Sequence, residues 1–362
     1  MYYYKIAEII LKSEYRLLSF NAFACNECEA DIKLKKSDES PPSGKDFISG
    51  SIVHRRLRDG WFFHCKWTDC FGLYVSEDYT CLRVLGVSND TLFGEMEWFV
   101  RIAMECKLAY HGYVSLHAAA VEIDGEAFAF TGPSGIGKST RAFALIDGLD
   151  AKLINGDRPL INVKYGELYG VPWDGKEQCF RNVHFPLKVI CEVRRSEMVY
   201  ARKMSFAQRR RVLIQQCFIP MWDTETATIQ MTNIAKLAAK IEMVRIFCGP
   251  SADDAKSLLY FLQNNILCDE QTDMKAKQGF ALQNVEDEYM LVPTSDNIRR
   301  FGGLVLRNEV SAFVWKKMQD PISKADLLQA VLEKYEVERA IADADLDTLL
   351  TTFRKYDVIE DE

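Results

Sequence analysis

The sequence predicts a mixed α/β (α+β) fold: a β-rich core around one glycine-rich loop, then a small C-terminal domain of short strands and three helices. Three observations point there. Gly132-Pro133-Ser134-Gly135-Ile136-Gly137-Lys138-Ser139 satisfies G-x-x-x-x-G-K-[ST], a pattern that cradles phosphate groups. The apolar run Ala127-Phe128-Ala129-Phe130 precedes it, and Thr140 to Leu149 follows with Ala142, Phe143, Leu145 and Ile146 at helical spacing. The motif thus stands between a strand and a helix. Beyond Lys277 the pattern changes to short strands and amphipathic helices of a separate domain.

The chain has 362 residues, 48% hydrophobic and 27% charged, enough for two or three domains with a real core. A net charge of −7 argues against general nucleic-acid binding. No run approaches the ~18 apolar residues of a membrane span. Met1-Tyr2-Tyr3-Tyr4-Lys5 lacks the basic and apolar regions of a secretory signal, so a cytoplasmic protein without a membrane partner is expected. Eleven cysteines do not suit a complete disulfide framework, and Cys106, Cys191, Cys217 and Cys248 read as small reduced core residues. Cys25-x-x-Cys28 with His64-Cys65 and Cys70 has the residue types of a zinc site. Its second half lacks a C-x-x-C, and Phe62, Phe63 and Trp67 around it read as strand residues, which favours the strand.

Residues 1–112 read as β-rich. Ile6 to Leu11 and Tyr15 to Phe20 are short apolar runs, and Ser37 to Lys45 is a polar, proline-broken loop. Trp61 to Cys65, Gly72 to Val75 and Cys81 to Leu85 follow as in a meander. Asn89-Asp90-Thr91 can cap a helix from about Leu92 to Tyr110, with Phe99, Ile102, Ala103, Cys106 and Tyr110 on one face. Next, Val114 to Ile123 and Glu126 to Phe130 flank Asp124-Gly125, a strong hairpin signal. His117 falls in the first of these strands.

Lys152 to Asp157 is a short strand ending in a carboxylate. An Asp at the carboxyl end of the strand neighbouring such a loop holds Mg²⁺ or activates a nucleophile; Asn-Gly-Asp is also a common turn. Tyr169 to Lys176 is a loop by its Gly and Pro content. Phe185 to Val193 is a buried strand whose Arg194 and Arg195 are a solvated end or a phosphate clamp. Arg209-Arg210-Arg211 lies in a polar helix, and helical patterns dominate from Thr224 to Leu267. Residues 113–268 therefore read as a nucleotide-binding domain and 269–278 as a polar linker. In 279–362, Tyr289 to Pro293 and Gly303 to Leu306 are strands and Asn308 to Met318 is a helix. Ser323-Lys324-Ala325-Asp326 is a capping box opening a second helix. Leu346, Leu349, Leu350 and Phe353 repeat at i, i+3, i+4, i+7 in a third.

The chemistry of the loop follows from its residues. Gly132, Gly135 and Gly137 let successive N–H groups turn into one concavity, and the helix N-terminus adds donors and a positive dipole end. Lys138 reaches the β- and γ-phosphates of a nucleotide, and the Ser139 hydroxyl ligates Mg²⁺. The candidate nucleotide-binding set is Gly132, Pro133, Ser134, Gly135, Ile136, Gly137, Lys138, Ser139 and Thr140, with ATP and Mg²⁺ as cofactors.

Leu116-His117-Ala118-Ala119-Ala120-Val121 with its Asp124-Gly125 hairpin, the loop from Thr131 to Ser139, and Leu153-Ile154-Asn155-Gly156-Asp157-Arg158 together resemble the catalytic core of HPr serine kinase. That superfamily includes phosphoenolpyruvate carboxykinase. The likeness covers roughly residues 114 to 260 and implies a β-rich P-loop kinase core. It places Lys138 and Ser139 at the nucleotide and Mg²⁺ positions, His117 beside the catalytic carboxylate, and Asp157 as base, metal ligand or both. Gly156 stands where HPr kinase has the first of two adjacent aspartates, a departure that weakens the case for phosphorylase activity and leaves open which carboxylate activates the acceptor hydroxyl. Val171-Pro172-Trp173-Asp174-Gly175-Lys176 looks like a loop of HPr kinase-like proteins found with ribosomally made peptides. Residues 286–362 resemble the PqqD-like family through Tyr289 to Pro293, Leu304 to Asn308, Trp315, Leu327 to Tyr335 and Asp345 to Ile359, which implies a winged-helix element that binds leader peptides. Together the resemblances imply an ATP- and Mg²⁺-dependent kinase acting on a serine of a precursor peptide or small protein; a homo-oligomer is compatible with this. The rivals are a small-molecule kinase and a non-catalytic, nucleotide-gated peptide-binding protein.

Overall fold

A computed structural model of the chain describes residues 1–361 apart from 50–51, 88, 150, 174–179, 197–198, 250, 264–266, 268–272, 286–287, 295–303 and 307. The fold is mixed α/β and divides into two compact units, Met1–Cys268 and Asp269–Glu362.

The first unit begins with an eight-stranded sheet in the order Tyr2–Ile6, Ile9–Ser13, Ile32–Lys36, Cys81–Leu85, Thr68–Ser76, Gly60–Cys65, Ile52–Arg56, Phe47–Ser49. The apolar run expected from Ile6 to Leu11 is broken: Ala7 turns through φ 53° and the flanking strands form a hairpin. Helix Glu95–Tyr110 covers this sheet, packing Phe99, Val100 and Ala103 among Phe63, Leu73 and Val75. It starts later than the expected Leu92. Thr91–Leu92 instead pairs in parallel with Arg16–Leu17, and Gly94 at φ 58° turns the chain into the helix without a side-chain cap.

The second sheet of this unit carries the glycine loop. Its central strands run in the order Lys152–Asn155, Ala118–Ile123, Glu126–Thr131, His184–Arg195, Met243–Cys248. The last three are mutually parallel, whereas Ala118–Ile123 is antiparallel to both of its neighbours. Consequently the ends of Glu126–Thr131 and Lys152–Asn155 and the start of Ala118–Ile123 lie at one end of the sheet. Asp124 (φ 51°) and Gly125 (φ 79°) make the two-residue turn, left-handed at both positions as a type I′ hairpin requires.

Strand alternation divides the residues between two cores. Ala118, Ala120, Ala127 and Ala129 face helices Phe206–Gln216 and Thr224–Lys240, while Ala119, Val121, Phe128 and Phe130 face Lys138–Leu149 and Ala252–Gln263. Two expectations fail here. The helical stretch from Thr224 to Leu267 contains the fully buried strand Met243–Cys248, an apolar run that periodicity alone cannot tell from helix. The run from Val114 to Ile123 breaks in two: Tyr113–Ser115 pairs with Leu160–Asn162 and Ala118–Ile123 with the loop strand, leaving Leu116 and His117 at the break. The two sheets share a core, since Val171 and Trp173 pack among Phe20 and Phe23. The Tyr79 hydroxyl donates to Asp223 Oδ2 at 2.9 Å.

The second unit holds the antiparallel sheet Phe280–Val285, Glu288–Pro293, Leu304–Leu306 and helices Glu309–Lys317, Lys324–Lys334 and Arg339–Lys355. Asn308 caps the first helix by accepting from Ser311 N, and Ser323 caps the second by accepting from Asp326 N. The expected linker 269–278 is corrected in its middle. Asp273–Ala276 is the central strand of a second sheet, between Ile322–Ser323 and Ile359–Asp361, with Met274 and Ala276 in the unit's core. Both of its partners lie far ahead in the chain, so no local apolar period announces it. Residues 269–272 and Gly303 lie outside the described residues.

Candidate active site

The glycine loop has the backbone its sequence asks for. Gly132, Gly135 and Gly137 take φ of 142°, 77° and 102°, a region that side-chain-bearing residues rarely adopt. A Cβ at Gly137 would meet Arg141 Nη1 at 2.0 Å. Pro133, Ser134, Gly135 and Thr140 are exposed, Ile136, Gly137 and Ser139 are half-buried, and Lys138 is 8% exposed. The Lys138 ammonium donates to the carbonyls of Gly132 (3.1 Å) and Pro133 (3.2 Å). Sequence reasoning missed the residue that braces this loop. Arg141, one turn into the helix and 4% exposed, donates to the carbonyls of Ile136 and Gly137 at 3.1 Å and of Cys248 at 2.7 Å. Arg195 reaches the Gly135 carbonyl at 2.5 Å, so it holds the loop's outer turn.

His117 and Asp157 meet beside this loop. The His117 N–H donates to the Gln216 carbonyl (2.9 Å), the Thr131 hydroxyl donates to the His117 carbonyl (2.9 Å), and the Ala118 N–H donates to the Asp157 carbonyl (2.8 Å). The side chains then meet with His117 Nε2 3.4 Å from Asp157 Oδ1. Asp157 does not end the strand next to the loop strand, as expected, but the next strand out; the antiparallel Ala118–Ile123 lies between. Fully buried Asn155 shapes the turn. Its Oδ1 accepts from Asp157 N (3.1 Å) and Arg158 N (2.8 Å), and its Nδ2 donates to the carbonyls of Val171 (3.1 Å) and Trp173 (3.4 Å). An Asn two residues before an Asp is the signal that reveals such an Asx turn. The rest of the expected loop, Asp174 to Lys176, lies outside the described residues.

The electrostatics follow from this crowding. Burial, and then the Lys138 ammonium, holds the His117 imidazole below its ordinary value, against the opposing pull of Asp157. Burial also lowers the Lys138 ammonium, which Asp157 partly offsets and Arg158 reinforces. His117 is therefore a neutral ring near pH 7, able to accept or pass a proton.

In the second unit, a groove of about 680 Å³ runs along strand Leu304–Leu306, lined by Leu304, Leu306, Val310, Val314, Leu346 and Leu349 among others. That strand is at the edge of its sheet among the described residues, and Val305 is 48% exposed.

Cys25, Cys28, Cys65 and Cys70 are free thiols, and His64 Nε2 lies 3.0 Å from Asp46 Oδ1. Among the described residues no group of three or more His, Cys, Asp or Glu side chains is placed to hold a metal. No described helix is long and apolar enough to cross a membrane.

Residues 288–359 match the family described as coenzyme PQQ synthesis protein D (PqqD), so the chain carries a PqqD-like domain near its C-terminus. No curated protein matches the chain. Among solved structures, "TbiB1 in Complex with the TbiA(beta) Leader Peptide" is similar at 17% identity over 24% of this chain and 94% of that chain, with a TM-score of 0.21. "Lasso peptide synthetase B1 complexed with the leader peptide" is similar at 21% identity over 24% of this chain and 96% of that one, also with a TM-score of 0.21.

Proposed function

We propose that this chain is an ATP- and Mg²⁺-dependent kinase that transfers the γ-phosphoryl group to a serine hydroxyl of a ribosomally made precursor peptide or small protein. The observation that carries the reading is the convergence of the glycine loop with Lys138, His117 and Asp157 at one end of one sheet. The loop has the parts that hold a nucleotide's phosphates: three left-handed glycines, a helix N-terminus and, on leaving the Gly132 and Pro133 carbonyls, the Lys138 ammonium. Ser139 and Asp157 are hard oxygen donors of the kind Mg²⁺ takes. When bound, that ion would neutralise charge on the phosphates.

The residues divide the work. Lys138, held over the loop by the Gly132 and Pro133 carbonyls, binds phosphate oxygens. Asp157 accepts the proton of the acceptor hydroxyl, and neutral His117, against its Oδ1, orients that carboxylate. Catalysis is then chiefly positioning and charge stabilisation.

The C-terminal unit serves recognition. Its PqqD-like match, a strand at the sheet edge among the described residues and the adjoining apolar groove suit a leader peptide added as a strand. Incubating the full chain with γ-labelled ATP, Mg²⁺ and candidate serine-containing precursor peptides tests the reading. Label on a peptide serine is expected; label on a small molecule alone would favour a small-molecule kinase.

A further inference from the structure

One charged side chain at the site has no part in that division of work. Arg158 follows Asp157, and the bond from its N–H to Asn155 Oδ1 (2.8 Å) fixes where its side chain leaves the turn. Its Nε lies 4.0 Å from Asp157 Oδ2, whereas His117 approaches the other oxygen, Oδ1. The carboxylate is thus flanked by an imidazole on one side and a guanidinium on the other. The Arg158 charge also opposes protonation of both His117 and Lys138.

The other arginines around the loop are committed. Arg141 donates to three carbonyls, Arg195 to Gly135, and Arg194 and Arg245 to Glu192. Among the described residues the Arg158 guanidinium donates no hydrogen bond, and its ionic contact, Asp157, is a long one. A half-buried guanidinium beside the candidate base therefore keeps its N–H donors for a ligand, and its planar fork matches phosphoryl oxygens.

We propose that Arg158 is a catalytic residue, the cation that binds the phosphoryl group in transit from nucleotide to acceptor. The inference rests on the kinase reading. In the step, the acceptor oxygen bonds to the γ-phosphorus as the bond from that phosphorus to the β–γ bridging oxygen breaks. The electron pair leaves on ADP, and the acceptor's proton passes to Asp157. Lys138 stabilises charge from the loop side and Arg158 from the acceptor side, as an arginine supplied within the same chain. Such arginines contribute roughly 10³–10⁵-fold to turnover.

The test compares, on the full chain, calorimetric binding of MgADP with binding of MgADP plus aluminium fluoride, a mimic of the phosphoryl group in transit. The wild-type chain binds the second more tightly. Arg158→Ala keeps the MgADP affinity and loses most of the tightening. Equal tightening in wild type and Arg158→Ala overturns the role of Arg158 and leaves the kinase reading standing. No tightening in the wild type overturns both. If Arg158→Ala fails to bind MgADP because the turn is damaged, Arg158→Gln, which keeps most of the stem, decides by the same comparison.

Discussion

His117 Nε2 lies 3.4 Å from Asp157 Oδ1, and the contact exists because an antiparallel strand is inserted between two parallel ones. Ala118–Ile123 starts where Glu126–Thr131 and Lys152–Asn155 end. A residue just before the first and one just after the last therefore share the end of the sheet that carries the loop. Two backbone bonds and one side-chain bond fix the pair from behind: His117 N to Gln216 O, Ala118 N to Asp157 O, and the Thr131 hydroxyl to His117 O.

Replacing Asp157 by Asn should leave Mg²⁺-free nucleotide binding intact and slow transfer by roughly 10²–10⁴-fold, the usual contribution of a general base. Gly156 offers no adjacent carboxylate in its place. Single-turnover transfer from labelled ATP measures it. A variant retaining more than about a tenth of the rate, less than a base should cost, would shift the role to His117.

Lys138→Ala should remove transfer while leaving a folded chain. The ammonium's partners are two loop carbonyls rather than a buried carboxylate, so its loss opens no unpaired charge. Loss of the donor to the buried Gly132 carbonyl costs about 1–3 kcal/mol, and at about 2–4 °C per kcal/mol in a domain of this size the thermal melt should fall by roughly 2–12 °C. Retained turnover in the purified variant sinks the kinase assignment at this loop.

Arg141→Ala should weaken nucleotide binding without touching the nucleotide. It removes the side-chain donor to the carbonyls of Ile136, Gly137 and Cys248; Gly137 and Cys248 keep the backbone donors Arg141 N and Ser196 N, so the Ile136 carbonyl bears the loss, about 1–3 kcal/mol for a buried unpaired group. Chemical denaturation should show reduced stability, and titration with MgADP a higher Kd. An unchanged Kd means the loop holds its shape alone.

The His117 ring should titrate below its ordinary value of 6.5, because burial and Lys138 disfavour its charged form. The sign follows from the neutral ring being the one the fold prefers. Its contribution to stability is complete above the unfolded value and is lost as pH falls from there toward the lower folded value. NMR titration of the ring carbons measures this directly. Lys138→Ala should raise the value by removing the ammonium.

Cutting the chain after Cys268, ahead of strand Asp273–Ala276, should leave a folded core that binds ATP, and residues 269–362 alone should bind the precursor peptide. A cut at Gly279 would take that strand from the C-terminal sheet. Without the tail the core should modify peptide poorly at micromolar concentration and recover at millimolar, since tethering commonly supplies ~10²–10⁴ in apparent affinity. Normal turnover by the core at low peptide, with no binding by the fragment, removes the recognition role.

Local chemistry was readable from the chain alone. The loop's glycines and lysine, the Asp124-Gly125 turn, the cap at Ser323 and the last helix all depend on neighbours within a few residues, where spacing carries the information. Tertiary structure decided whatever depends on partners distant in sequence. Met243–Cys248 is a strand because His184–Arg195 lies beside it, and Asp273–Ala276 because two later strands enclose it. The same holds for Arg141, an ordinary helix residue until Cys248 arrives to accept its hydrogen bond. Arg158 acquires its place only when the antiparallel insertion brings Asp157 to His117. Sequence spacing reports the period of one element; which ends of which strands coincide is set by the order and direction of the strands in the sheet.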